Sequence, residues 1–264
     1  MKIAALALGA LALAAPSAQA AENLNAAGAS FPAPIYQKWF QDYAAKTGNK
    51  VNYQAVGSGA GVRQYKAGTT DFGASDKAVS DKKLAGISRE MVQIPMTGGA
   101  IAVAYNKPGC DLKLSQVDLT KVFYGRINNW SQLGCAAGPI TVAVRSDGSG
   151  TTAGFTNSLS AFSPYWAYKV GRGKSVAWPA AGTVAGKGNS GVAGIIRNTE
   201  GAIGYLNYGY VVGGKFQQAA IQNRAGNYVK ANGETSAAGL AQIVLDDKLR
   251  GTDANPAGAN AFPI

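Results

Sequence analysis

Three short turns in this chain carry residue types suited to holding a small oxyanion. They are Ala27-Gly28-Ala29-Ser30-Phe31-Pro32, Gly57-Ser58-Gly59-Ala60-Gly61 and Arg145-Ser146-Asp147-Gly148-Ser149-Gly150-Thr151. Each is made of small residues and feeds a helical pattern. A helix N-terminus leaves backbone N–H groups unpartnered and carries about half a positive charge, so each junction is a potential anion seat. A single one means little, because glycine at such a turn often answers to tight geometry alone. Three of them, each with a Ser or Thr hydroxyl and one opened by Arg145, point to a small tetrahedral oxyanion. Asp76 closes the segment Asp71-Phe72-Gly73-Ala74-Ser75-Asp76. A carboxylate suits an anion site only when the ligand brings a proton. Hydrogen phosphate has an O–H to donate and sulfate has none, so Asp76 would accept from the first and repel the second. Taken alone, Asp76 would also serve as the N-cap of a helix over Lys77–Leu84. Asp147 is spaced to pair with the Arg145 guanidinium, or to stabilise its turn as an Asx residue.

Composition removes most competing chemistries. The chain has no histidine and two cysteines among 264 residues, which excludes Ser-His-Asp triads, Cys-His dyads and histidine or cysteine zinc clusters. A phosphate-ester hydrolase with Ser149 as nucleophile would lack a base, since Arg145 stays protonated near neutral pH. The 35 glycines follow no Gly-X-Y period, so no collagen-like structure is expected. The run Gly171-Arg172-Gly173-Lys174-Ser175 ends like a phosphate-binding P-loop, but Tyr168 stands where its first glycine must be. No stretch fits the full dinucleotide-binding glycine pattern. The net charge of +11 is scattered, with Lys82-Lys83 as the longest run. Basic and aromatic residues are not interleaved, so nucleic acid is not an expected partner.

The N-terminus reads as an export signal. Met1-Lys2 precedes an apolar run from Ile3 to Ala15 and then Pro16-Ser17-Ala18-Gln19-Ala20, predicting cleavage after Ala20. The run is shorter than the ~20 residues that span a bilayer, and no cysteine near the cut offers a lipid anchor. In an exported protein the even pair Cys110 and Cys135 is expected to form a disulfide. Closing that loop would contribute about 3.5 kcal/mol.

Strand and helix patterns alternate between the turns, predicting an α/β architecture. Lys50–Val56 alternates like a half-buried strand, while 101–105, 140–144 and 202–206 read as buried strands. Ile35, Trp39, Phe40 and Tyr43 form one apolar helical stripe, and Leu240, Ile243 and Val244 form another. Ser30 suits an N-cap and Pro32 a first helical turn.

The blocks Gly28-Ala29-Ser30-Phe31-Pro32-Ala33-Pro34, Thr47–Gln54, Asp71–Asp76, Arg145–Thr151, Gly186-Lys187-Gly188-Asn189, Gly201–Tyr205 and Asn260–Ile264 occur together in order. Through them the chain resembles the periplasmic phosphate-binding proteins of phosphate ABC transporters over nearly all of residues 21–264. The resemblance implies a two-lobed venus-flytrap fold, type II, binding phosphate between the lobes without a cofactor. It carries phosphate contact onto Ser30, Phe31 (through its N–H), Ser58, Asp76, Arg145, Ser149, Gly150 and Thr151, and the pairing of the arginine onto Asp147. Ser30 replaces a more usual threonine and keeps the hydroxyl donor. The Gly186–Asn189 turn is assigned to the cleft wall or hinge, without ligand contact. The cysteine pair is not general to the family, so the disulfide rests on the export argument.

The resemblance further implies lobe 1 over 21–97, lobe 2 over 98–245 and a tail over 246–264. In the family that tail leads into a return strand and C-terminal helices of the first lobe, which are absent from this sequence. The expected role is a monomeric periplasmic receptor that hands hydrogen phosphate to membrane permease subunits and is not an enzyme. A receptor for sulfate, molybdate or arsenate is the alternative.

Overall fold

The computed structural model describes residues 22–264. The predicted signal segment and its cut after Ala20 lie outside the described residues. Two sheet systems follow one another along the chain. In the first, β1 (Asn23–Gly28) is flanked in parallel by β2 (Lys50–Gln54) and β3 (Phe72–Ala74). The helix α1 (Ala33–Thr47) connects β1 to β2, and α2 (Ser58–Lys66) connects β2 to β3. A single turn, α3 (Asp81–Leu84), precedes an extended crossover over residues 88–100.

The second system is a five-stranded sheet with the elements attached to it. It takes β4 (Ile101–Tyr105), a small outlying β5 (Lys113–Leu114), α4 (Gln116–Tyr124), β6 (Thr141–Arg145), α5 (Gly150–Phe162) and α6 (Pro164–Lys169). Then come β7 (Val184–Gly186), α7 (Gly188–Asn198), β8 (Ala202–Asn207), α8 (Tyr208–Gly214) and β9 (Gln217–Gln218). Finally β10 (Ala220–Gln222) and β11 (Tyr228–Val229) join β5 in a small sheet, before α9 (Gly233–Leu240). The main sheet runs β7-β6-β8-β4-β9, with β6 parallel to β7 and β8, and β4 antiparallel to β8 and β9. Its middle strands are buried on both faces, which matches the unbroken apolar runs seen in the sequence.

The main core lies around this second sheet. Phe123, Phe155, Trp130, Trp166 and Tyr205 are fully buried in it, and Phe155 stacks on Tyr205 with ring centroids 4.5 Å apart. The tail returns to the same core: Phe262 is buried there, and the carbonyl of Ile264 accepts from the Ile101 N–H at 3.1 Å. The first sheet has a thinner core, in which Tyr36 and Phe40 of α1 meet Tyr53 and Phe72.

Five sequence expectations need correction. The helix after Ser30 begins at Ala33, with Pro32 at the cap position and no side-chain cap. The Ser30 hydroxyl is taken instead by donors from α7, so a distant partner displaces the local cap. The apolar stripe of α1 exists, but Ile35, Trp39 and Tyr43 face solvent, because Ala33, Tyr36 and Phe40 supply the packed face. The second stripe is not continuous: α9 ends at Leu240, so Ile243 and Val244 follow it in non-helical chain. Asp76 caps nothing, since the helix there covers only Asp81–Leu84 behind Ser80. The strand of the second turn stops at Gln54, where the Val56 N–H bends back to the Gln54 carbonyl.

Cys110 and Cys135 form a disulfide with their Cα atoms 5.4 Å apart. It ties the connection after β4 to the loop that follows a 3-10 turn at Trp130–Leu133. Because the bridge closes a loop of 25 residues, the double variant C110S/C135S is expected to lose about 3.5 kcal/mol of stability. Urea unfolding followed by far-ultraviolet circular dichroism would show this as a lower midpoint; an unchanged midpoint would refute a stabilising role.

Candidate functional site

The three turns and Asp76 meet between the two sheet systems. β1 leads to Ser30, β2 to Ser58 at the first residue of α2, and β3 to Asp76. From the other side, β6 ends on Arg145 and α5 begins at Gly150, capped by Ser149. All these strands are parallel within their sheets, so their C-terminal ends point to one crevice, as open α/β sheets place their ligands. Ser30, Ser58, Arg145, Ser149 and Thr151 are all buried there.

Asp76 stands at the centre. Its carboxylate accepts from the Ser58 hydroxyl at 2.9 Å and from the Thr151 hydroxyl at 3.1 Å. Ser58 also accepts from the Gly150 N–H at 3.2 Å. One donor to Asp76 therefore comes from each side of the crevice. Gly150 is required by this approach, because a Cβ there would collide with the Asp76 carboxyl group. Gly57 serves the same closeness at a φ of 92°, and a Cβ on it would strike the Asp147 carboxylate. The Gly59 N–H donates across the crevice to the Gly148 carbonyl at 2.7 Å. Asp76 as a residue is exposed, but its carboxyl group lies under the hydroxyls of Ser58 and Thr151. Burial pushes the Asp76 carboxyl up, against the hydroxyls of Ser58 and Thr151 and the charge of Arg145, and burial prevails. A carboxylate raised in this way is a stronger hydrogen-bond acceptor.

Arg145 is gripped in a fork. Its Nε donates to Asp147 Oδ1 at 2.8 Å and its Nη2 to Oδ2 at 2.5 Å. The guanidinium is 2% exposed and Asp147 is 11% exposed, so the pair is held in one geometry with its remaining nitrogen directed at Thr151 Oγ1, 3.4 Å away. The Gly188 N–H at the start of α7 fixes Asp147 at 2.9 Å. Burial raises the Asp147 carboxyl, but the Arg145 pair and the Gly188 N–H outweigh it and hold the group below the usual carboxylate range. Ser149 spends one lone pair on the Thr152 N–H at 2.9 Å, which leaves its hydroxyl hydrogen free to donate. Phe31 follows Ser30 into the crevice edge, and its ring lines an apolar groove of about 340 Å³ with Ile35, Gly98, Gly99 and Leu240.

Sequence reasoning missed Asn189 as a member of the cluster. Fully buried, it donates to Ser30 Oγ from both its backbone N–H and its side-chain amide at 3.0 Å. The same amide reaches Thr151 Oγ1 at 3.4 Å, and its carbonyl accepts from the Asn207 N–H. The signal was present: Gly186-Lys187-Gly188 is a fourth strand–turn–helix junction, from β7 into α7. Lys174 was also passed over, because its run failed as a P-loop. Its Nζ donates to Ser75 at 2.8 Å.

A family model described as a PBP superfamily domain matches residues 13–264. The phosphate-binding protein PstS of Xylella fastidiosa is 40% identical over 270 residues, covering 94% of this chain and 72% of that protein. The protein of the same name from Haemophilus influenzae is 41% identical, covering 94% and 77%. The chain belongs to the PstS family. Among solved structures, a high affinity periplasmic phosphate-binding protein called PfluDING, bound with phosphate at pH 8.5, superposes with a TM-score of 0.67. It is 26% identical, over 82% of this chain and 68% of that one. The α/β two-lobed fold expected from the resemblance is thus the fold of this PstS-family chain.

The Arg145–Asp147 pair yields a pH-resolved prediction. A depressed folded-state carboxyl stabilises the fold above the unfolded-state pKa, and that contribution is lost as pH falls through the folded value. Asp147→Asn leaves the buried Arg145 without its counter-charge and is expected to destabilise by about 3 kcal/mol at neutral pH. The gap to wild type should close as the medium is acidified below the normal carboxylate range. Urea titrations along an acid series would measure it, and a gap independent of pH would contradict the assignment.

Proposed function

We propose that this chain is a solute-binding protein that captures hydrogen phosphate in the crevice between its lobes and delivers it to the permease of an ABC-type importer. In this reading residues 21–97 form one lobe, 98–245 the other, and closure about the crossover near residue 98 sequesters the anion. The contacts fall to Ser30, Phe31, Ser58, Asp76, Arg145, Ser149, Gly150 and Thr151, with Asp147 holding the arginine. The observation that carries it is Asp76, a raised carboxyl receiving hydroxyls from both sides of the crevice. On capture, the Ser58 and Thr151 hydroxyls turn to phosphate oxygens, and the ligand's own O–H takes their place on Asp76. A ligand without a proton leaves Asp76 facing a second negative charge. The role in this reading is binding without turnover, in keeping with relatives named as phosphate-binding proteins. The reading places the protein as a monomer in the periplasm; no helix among the described residues is long and apolar enough to cross a membrane.

Isothermal titration of the purified protein with phosphate, arsenate and sulfate tests this. Phosphate is expected to bind and sulfate to bind far more weakly. Asp76→Asn should weaken phosphate by about 10- to 100-fold, the worth of a charged hydrogen bond, while narrowing the gap to sulfate. Equal affinity of the wild type for phosphate and sulfate would sink the reading.

A further inference from the structure

Lys174 spans the same crevice from outside the cluster just described. It lies in the loop after α6, and its backbone carbonyl accepts the Ser149 N–H at 2.9 Å. That contact ties it to the cap of α5, the element that presents Gly150 and Thr151. Its side chain crosses to the other lobe, where Nζ donates to Ser75 Oγ at 2.8 Å. Ser75 precedes Asp76 and uses its own hydrogen on the Lys77 carbonyl at 2.6 Å. It therefore meets Lys174 as an acceptor, which an ammonium satisfies and an apolar side chain cannot. One residue thus holds, by its two ends, the turn bearing Asp76 and the turn bearing Ser149.

We propose that Lys174 is a positioning residue for anion capture, which braces the closed crevice through Ser75 and supplies positive charge beside Asp76 when the ligand arrives. The inference rests on the phosphate reading above. The charges facing Lys174 are Asp76, which favours its ammonium, and Lys83 and Lys77, which oppose it. Burial is the largest influence, and with the two lysines it brings the group down to about 8. A bound anion favours the charged amine, so the pKa is higher with ligand than without. By linkage, the Lys174 contribution to affinity is complete below about pH 8 and declines as pH rises beyond it. Arginine at this position stays charged throughout that range.

The test is calorimetric titration of the full chain with inorganic phosphate at about pH 7 and about pH 9.5, on either side of the lysine transition. Wild type, Lys174→Met, Lys174→Arg and Ser75→Ala are compared, with thermal melts to confirm folding. The ionisation of phosphate itself is common to all four and cancels in ratios between them. Lys174→Met is expected to bind about tenfold more weakly at the lower pH, from loss of a charged hydrogen bond. Ser75→Ala should weaken binding in the same direction, and it tests the brace independently should the methionine variant misfold. Between the two pH values, wild type should lose affinity relative to Lys174→Arg. Wild-type affinity in the Met and Ala variants, with the Arg variant following the wild-type pH profile, would overturn the Lys174 role alone. Absence of phosphate binding by wild type would instead overturn the phosphate reading on which it rests.

Discussion

A single enclosed carboxylate sets the terms for the rest of this structure. Asp76 can remain beside Gly150 only while donors compensate for the water it has lost, and the donors on hand are the hydroxyls of Ser58 and Thr151. These come from different lobes, separated by 93 positions in the chain, so satisfying Asp76 means bringing the lobes together. Two glycines make that approach sterically possible, Gly57 against Asp147 and Gly150 against Asp76. The requirement is electrostatic, but its consequence is geometric: wherever the carboxylate is satisfied, several hydroxyls and N–H groups are already aimed at the same small volume. Such preorganisation reduces what a ligand must order on binding.

The arginine is managed by a different device. Rather than leaving its whole fork to the crevice, the fold commits two of its nitrogens to Asp147 and braces Asp147 with the Gly188 N–H. The guanidinium then has one orientation, and its remaining nitrogen shares Thr151 with the Asn189 amide. Asn189 in turn fixes Ser30 and is itself anchored by Asn207. A chain of bonds therefore runs from β8 through α7 to the first lobe. Few of these groups are without partners, which accounts for how a crevice this polar can be buried at all.

Much of the architecture could be read before any coordinates. The strands at 101–105, 140–144 and 202–206 were legible because their residues are apolar on both faces, which suits only the interior of a covered sheet. The small-residue turns were legible because strand–helix junctions demand glycine and hydroxyl residues in a narrow register. Where the reading failed, a long-range contact had replaced a local one. Ser30 has the chemistry of a cap, and local sequence offers no hint that α7 will claim its hydroxyl. The stripe of α1 has the right spacing, but period alone does not say which flank meets the sheet, and Tyr36 prevailed over Ile35 and Trp39.

By itself the sequence determined the inventory of this protein: an even cysteine pair, no histidine, hydroxyl-bearing turns, one arginine with a carboxylate two residues on, and an acid at the end of a short strand. Those are properties of residue type and close spacing, which neighbouring backbone geometry enforces directly. Only the tertiary structure decided which of these groups meet. It placed Ser58 and Thr151 on one carboxylate, made Asn189 a hub, and sent Lys174 across to Ser75. Partners drawn from two separately built sheets leave no trace in local periodicity, because their distance is set by how the lobes pack and not by how either one folds.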